Sequence, residues 1–324
     1  MININEFLQN KKEIILNNKT SPEQWHVLLC FDDDYALPAG VNIHSIIKNN
    51  ADKALHFHLF MQNVSDANKS KIAQLASDLV SLTEYDINDK LQIHTNNTKY
   101  FPVSACLRII APLIISKDIN KLLYVDSDTL CLGSLEQLFN TNLTDQVVAA
   151  VPDVENTQKS QCKKFEIEYG NYFNSGVILY NIENWNQLDV TNKALNLLNE
   201  GVAYKFPDQD VLNLLLKDKV YYLPRKYNNI TVLTVEGNED LKVSDNAIFI
   251  HYVSGSKPWF RLYLTPVYQQ YINGSPWRDT SLLLANNKSP STTRRYAKIL
   301  SNEGKYWRAV LYYTLYLKHK IWKK

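Results

Sequence analysis

A chain of 324 residues is long enough for one large α/β domain with an appendage, or for two modest domains. Hydrophobic residues at 45% and charged residues at 21% argue against disorder, and only 9 Gly and 11 Pro argue against a repetitive or linker-rich chain. The formal net charge of +2 conceals an asymmetry: residues 291–324 hold nine Lys/Arg and one acid, Glu303, leaving the preceding 290 residues with 26 bases and 32 acids.

In chain order, HVLLCFD (26–32) predicts a buried strand, and residues 36–50 have helical spacing. LHFHLFMQN (55–63) predicts a second strand. Residues 65–84 predict an amphipathic helix with Ile72, Leu75, Leu79 and Leu82 on one face. LQIHT (91–95) predicts a third strand, 107–115 a helix, and KLLYVDSD (121–128) a fourth strand ending in acids. This β-α alternation implies a parallel, helix-covered sheet. Ligands of such sheets bind beyond the carboxyl ends of the strands, where residues 32–34 and Asp126/Asp128 fall. QVVAAVP (146–152), YFNSGVILYN (172–181) and AIFIHYV (247–253) predict further strands, and 192–199 and 208–217 helices. Helical periodicity returns after Gly304.

Asp126-Ser127-Asp128 follows the apolar run LLYV. On a strand, residues i and i+2 project to one face, so both carboxylates can meet one cation; hard oxygen ligands suit Mg²⁺ or Mn²⁺ carrying phosphates. The triplet alone is equally a solvated turn. His251 ends another apolar run, in FIHYVSGSKPW. A lone His there is more often structural, but imidazole can join two carboxylates on Mn²⁺. Lys257 stands six residues later in a Ser/Gly loop, whose backbone N–H groups can approach an anion. Asp208-Gln209-Asp210 opens the run VLNLLL. Helix capping accounts for one of these Asp residues and leaves Gln209 unexplained. Arg108, in ACLRIIAPLII, wants an anionic partner, either a structural carboxylate or a phosphate. No GxGxxG, P-loop, GxSxG or HExxH occurs.

In combination, CFDDDYA (30–36), the CLR around Arg108, LLYVDSDTL (122–130), YFNSGVILYNIENW (172–185), FPDQDVLN (206–213) and HYVSGSKPW (251–259) resemble glycosyltransferase family 8. SPWRDTSLLL (275–284) and the basic tail look like the C-terminal extension of its bacterial lipopolysaccharide core glucosyl- and galactosyltransferases. The resemblance implies a GT-A fold, an α/β mixed sheet flanked by helices, with a catalytic domain over 1–274 and a basic helical extension over 275–324. It implies retaining transfer of glucose or galactose from a UDP-sugar to a lipid-linked core oligosaccharide. Asp126, Asp128 and His251 match ligands of Mn²⁺, with Mg²⁺ the alternative. Asp32, Asp34 and Tyr35 match uridine contacts. Arg108, Asn174, Asp208 and Gln209 match the donor-sugar pocket, Asp208 and Gln209 as the catalytic pair. Ser127, Gly255 and Lys257 match donor contacts, Lys257 at the diphosphate, and Asp153 falls on the acceptor side. The chain departs from the family at Asp34, where Asn is common, and at Ser254, where Gly is common.

A nucleotidyltransferase would also use paired Asp, but CFDDDYA offers acids where a triphosphate loop is needed. A non-catalytic glycan binder would have no use for the metal set, Gln209 and Lys257. The tail sets seven Tyr/Trp among its nine bases, which suits nucleic acid or an anionic membrane; the acidic body favours the membrane. Trp307, Tyr312, Tyr313, Tyr316 and Trp322 are the rings expected at the lipid boundary. Cysteines 30, 106, 131 and 162 lack CxxC spacing, and MININEFLQNKKEIIL carries charges where a leader needs an apolar core. The expected location is the bacterial cytoplasm, peripheral on the inner face of the membrane.

Overall fold

The computed structural model describes residues 7–15, 24–88, 103–116, 118–233, 244–286 and 289–321. The chain forms two compact units, Met1–Asn229 with Ser244–His251, and Ile230–Val243 with Tyr252–Lys324.

The first unit is built on a sheet of eight strands among the described residues. In chain order these are β1 (Leu8–Ile14), β2 (Trp25–Asp32), β3 (Leu55–Gln62), β4 (Val80–Ile87) and β5 (Lys121–Val125). After a short strand outside this sheet, β6 (Thr129–Cys131), come β7 (Val148–Pro152), β8 (Phe173–Asn181) and β9 (Val220–Tyr222). The spatial order is β1-β4-β3-β2-β5-β8-β7-β9. Strands β4, β3, β2 and β5 run parallel, as the alternation implies. Beyond β5 the sheet is mixed, because β8 runs antiparallel to both β5 and β7. The central strands read as unbroken apolar runs because both faces are covered: Val27, Leu28, Leu29 and Phe31 are all buried.

Two sequence expectations are corrected. The expected helix over 65–84 is a short helix, Asp66–Ala73, followed by β4. Ser65 caps that helix through its hydroxyl, but a tight turn in which Ser77 and Val80 bond each other's backbones reverses the chain. Leu79, assigned to the buried face, is 45% exposed. The strand expected over 121–128 stops at Val125, so the acids lie in a turn rather than on the pleat. Strand β1 escapes sequence reading because LQNKKEI is charged and exposed; it pairs antiparallel with β4 as an edge strand. The strand expected over 91–95 lies outside the described residues.

Three histidines share one face of β2 and β3. His26 stands opposite His56, and His58 is two residues further along. His26 Nδ1 lies 3.1 Å from His58 Nε2, and His58 Nδ1 lies 3.2 Å from the Tyr85 hydroxyl. Burial pushes His26 and His56 down to about 4 and His58 well below its usual value.

In the second unit, Tyr252 and Tyr268 meet edge to face at 5.8 Å, and Trp277 is buried. The helices Pro290–Asn302 and Tyr306–Ile321 form a hairpin turned at Gly304, whose φ of +74° is the left-handed conformation glycine adopts freely. Ala297, Leu300 and Ala309 are buried, and Tyr296 meets Tyr312 edge to face at 4.8 Å. Tyr312 therefore packs within the hairpin, unlike the lipid-facing ring expected, and Trp322 lies outside the described residues. Among the described residues, no helix is long and apolar enough to cross a membrane.

Candidate active site

The site is assembled where β5 ends. Residues Asp126 to Thr129 form a turn, closed by the Thr129 amide donating to the Asp126 carbonyl at 3.0 Å. The helix Ala36–Asn49 holds this turn from the side. Asn42 Nδ2 donates to the Asp126 carbonyl at 3.0 Å and to Thr129 Oγ1 at 2.8 Å, and Ser45 Oγ accepts from the Cys131 amide at 2.9 Å. Opposite the turn, the strand Phe249–Tyr252 pairs antiparallel with β6, setting His251 against Thr129. His251 Nε2 lies 3.2 Å from Asp128 Oδ1 and 3.7 Å from Asp126 Oδ2. One ligand atom from each of Asp126, Asp128 and His251 lies within 4.8 Å of the others.

This donor set fits a hard divalent cation. His251 Nδ1 lies 3.0 Å from Asn228 Oδ1, so a proton held on Nδ1 donates to Asn228 and leaves Nε2 free to ligate. Asn228 is itself fixed by donating to Asn174 Oδ1 at 2.8 Å. The Asp126 carboxylate is held on its other edge by Arg108 at 2.8 Å and by the Tyr124 hydroxyl at 2.5 Å. Ser127 Oγ is buried with no hydrogen-bond partner among the described residues, an orphan donor beside the ligand cluster.

A bulge in β8 shapes the structure next to this cluster. Against β7 the register jumps from Ala150↔Ile178 to Val151↔Asn174; Val177 keeps its partner on β5, and Ser175 and Gly176 leave the β7 ladder with it. Their backbone is used elsewhere: the Gly176 carbonyl accepts from the Asp126 amide at 2.8 Å, and the Ser175 carbonyl from Arg108 at 2.8 Å. Gly176 admits no side chain, since a Cβ there would stand 2.3 Å from His251 Cε1 and 2.8 Å from Asp126 Oδ2. Arg108, stacked 4.4 Å above the Tyr124 ring, also meets Asp208 at 3.2 Å. Burial opposes its charge, but Asp126, Tyr124 and Asp208 outweigh burial and hold it firmly protonated. Burial raises the Asp208 carboxyl, and Arg108 pulls it back. Of the two readings of Arg108, the geometry gives the carboxylate partner.

Gln209 is 4% exposed, and its amide is engaged at both ends. Its oxygen accepts from Asn174 at 3.1 Å and the Ser175 amide at 3.0 Å, while its nitrogen donates to Asp153 at 2.9 Å and Tyr172 at 3.1 Å. Asp210 is the helix-fixing acid: it accepts from the amides of Lys205 and Phe206, and from Tyr172 and Gln161. At the end of β2, Asp32 accepts from the Tyr35 amide at 3.2 Å, and burial raises its carboxyl. Asp34 is exposed. Tyr35 is pushed up by burial and then by the Asp128 carboxylate, which ties this loop electrostatically to the ligand cluster. Asp33 is spent on the fold, accepting from Ser65 and Asn68.

The structure thus brings Asp126, Asp128 and His251 together, and links Arg108, Asp208, Gln209, Asn174 and Asp153 through shared hydrogen bonds. Lys257 and Gly255 belong to the second unit. There Lys257 is buried, donating to the Tyr252 carbonyl at 2.7 Å, and Ser254 holds a φ of +79°. Sequence reading missed Asn42, Tyr124, Tyr172, Gly176 and Asn228. Gly176 carried a signal, a glycine inside an apolar strand, which marks a close approach; Asn228 carried none.

A sequence profile of glycosyl transferase family 8 matches residues 26–262, and the C-terminal profile of the same family matches 264–320. The chain belongs to glycosyl transferase family 8. This family 8 chain is 32% identical over 323 residues, 95% of either chain, to a lipopolysaccharide 1,2-glucosyltransferase of Escherichia coli (strain K12). It is 27% identical to a lipopolysaccharide 1,3-galactosyltransferase of Salmonella typhimurium, over 98% of this chain and 97% of that one. Its fold is similar to that of the galactosyltransferase LgtC, solved in complex with donor and acceptor sugar analogs: TM-score 0.65, 24% identity, covering 79% of this chain and 97% of that one. The mixed sheet flanked by helices is the GT-A arrangement that the sequence motifs implied.

Proposed function

We propose that this glycosyltransferase moves a hexose, glucose or galactose, from a UDP-sugar to a lipopolysaccharide core oligosaccharide, with retention of anomeric configuration. The observation that carries the reading is the convergence of Asp126, Asp128 and His251 beside the bonded polar set of Asn174, Asp208 and Gln209, joined through Ser175 and Arg108. Relatives of nearly equal length transfer glucose or galactose to lipopolysaccharide by name, which supports the acceptor class.

Asp126, Asp128 and His251 would hold Mn²⁺, or Mg²⁺, which when bound offsets the charge of a departing diphosphate. Tyr35, Asp32 and Asp34 take the nucleoside end of the donor, with Ser127 supplying a hydroxyl beside it. Lys257, in a loop with Gly255, supplies a cation for the diphosphate. Arg108 orients Asp126 and Asp208 and stands with Asn174 on the donor-sugar side of the site. Gln209 has both ends of its amide engaged and Asp208 is paired with Arg108, so neither is free to attack the sugar. This favours acceptor attack from the leaving-group face, with Gln209 and Asp208 as a fixed polar wall and Asp153 toward the acceptor. NMR of the product from each UDP-hexose, with lipid-linked core oligosaccharide and an unrelated glycan as competing acceptors, tests the reading. An α-linked core product is expected; a β-linkage, or preference for the unrelated glycan, overturns retention or acceptor respectively.

The hairpin Pro290–Asn302 with Tyr306–Ile321 supports adhesion to an anionic membrane. Tyr306, Val310, Leu317 and Ile321 recur at helical spacing and are all exposed, with exposed Leu311 and the 90% exposed Trp307 beside them. Bases on the same hairpin reach headgroups while these side chains enter the lipid boundary.

A further inference from the structure

The C-terminal hairpin also contains a groove that neither the transfer reaction nor an adhesive face accounts for. Between its two helices lies a cavity of about 740 Å³, lined by Arg294, Arg295 and Lys298 of the first helix and Tyr313, Tyr316 and Lys320 of the second. No Asp or Glu lines it. Among the described residues, none of these four cations has an ion-pair or hydrogen-bond partner; Arg294 only approaches the Tyr316 ring, at 5.8 Å. Elsewhere in the hairpin the one acid, Glu303, is taken by Lys305 at 2.7 Å.

Four cations converging without a counter-ion repel one another, and an anion placed among them relieves that repulsion. A single carboxylate would leave most of the positive charge unmet. A phosphomonoester brings a charge of roughly −1.5 to −2 and three acceptor oxygens, and guanidinium forks match its geometry. The groove is larger than a phosphate needs and falls in the range of roughly 300–1,000 Å³ typical of small-molecule sites. Its remaining walls are the rings of Tyr313 and Tyr316, apolar faces with a polar tip that suit the face of a sugar. We propose that this groove binds a phosphorylated saccharide, its phosphate held by Arg294, Arg295, Lys298 and Lys320 and its sugar ring laid against Tyr313 and Tyr316.

The test titrates glucose 6-phosphate into the full chain in EDTA, followed by ³¹P NMR, so that the Asp126–Asp128–His251 cluster takes no part and the result is independent of transfer. Saturable binding is expected, with competition by inorganic phosphate and none by glucose. Arg295→Gln/Lys298→Gln should weaken it at least about tenfold, the effect of losing charge-assisted contacts, while melting as the parent does. Tyr316→Ala should weaken glucose 6-phosphate but not inorganic phosphate. Trp307→Ala/Leu311→Ala, on the exposed apolar side, should change neither. Equal binding by the parent and Arg295→Gln/Lys298→Gln overturns the proposal. So does a parent that adheres to phosphatidylglycerol vesicles yet never saturates with glucose 6-phosphate, since the cations then serve a lipid surface alone.

Discussion

Gly176 and Asn228 carry much of the site's geometry through the groups they hold in place. A Cβ on Gly176 would enter both His251 and Asp126, so Gly176→Ala should force the two ligands apart. Asn228→Ala removes the partner of His251 Nδ1 and frees the ring to turn. Both variants should lower Mn²⁺ affinity by about 10–100-fold, the usual cost of disturbing the partners of metal ligands. Electron paramagnetic resonance titration of Mn²⁺ measures this directly, and unchanged affinity in both would remove His251 from the ligand set. Gln209→Ala should instead spare Mn²⁺ affinity and reduce kcat by roughly 10²–10³, the scale of one preorganised polar group. Steady-state kinetics with KM reported separately distinguishes that from a loss of donor binding.

At the scale of elements, what the sequence made legible depended on whether local pattern and tertiary pairing agreed. β2, β3 and β8 are buried on both faces and announce themselves as apolar runs. β4 was hidden, because Ile72, Leu75, Leu79 and Leu82 fit a helical period by coincidence and the turn at Ser77 has no glycine or proline to mark it. Asp126 and Asp128 were legible as a pair, but their convergence arises from a turn clamped by Asn42 rather than from strand alternation, and no spacing rule links residue 42 to residue 126. The departure at Ser254 is also resolved at this scale: the backbone there keeps the left-handed conformation that glycine takes freely. Ser254→Gly should therefore stabilise the chain by about 1 kcal/mol, the strain of a non-glycine residue in that region, read as a higher Tm. The β2–β3 histidines make a pH prediction. Their folded pKa values lie below the unfolded value, so the stability they contribute is present above pH 6.5 and is lost as pH falls toward about 4. His26→Gln/His56→Gln should flatten the fall of Tm across that window; an unchanged profile would assign the acid sensitivity to other groups.

Over the whole molecule, charge and apolar exposure are segregated along the chain. The first 290 residues are net acidic, whereas the terminal hairpin joins the cationic groove to an uncovered apolar stripe. Substitution on that stripe is a cleaner probe of adhesion than truncation, because Ala297, Leu300 and Ala309 are buried and deletion would expose what they cover. Leu311→Glu/Leu317→Glu should abolish co-sedimentation with anionic vesicles at about 0.15 M salt, where surface charge is screened beyond about 8 Å, and spare transfer to a soluble acceptor fragment. Retained sedimentation would leave the stripe without a membrane role. The central claim, that the Asp126–Asp128–His251 cluster performs metal-dependent hexosyl transfer, is tested most directly by transfer from UDP-glucose and UDP-galactose across a Mn²⁺ titration, for the parent and Asp128→Ala. The parent should be silent in EDTA and regain transfer as Mn²⁺ is restored, while Asp128→Ala, melting as the parent does, should stay silent throughout. Transfer that persists in EDTA, or at the parental rate in Asp128→Ala, would contradict it.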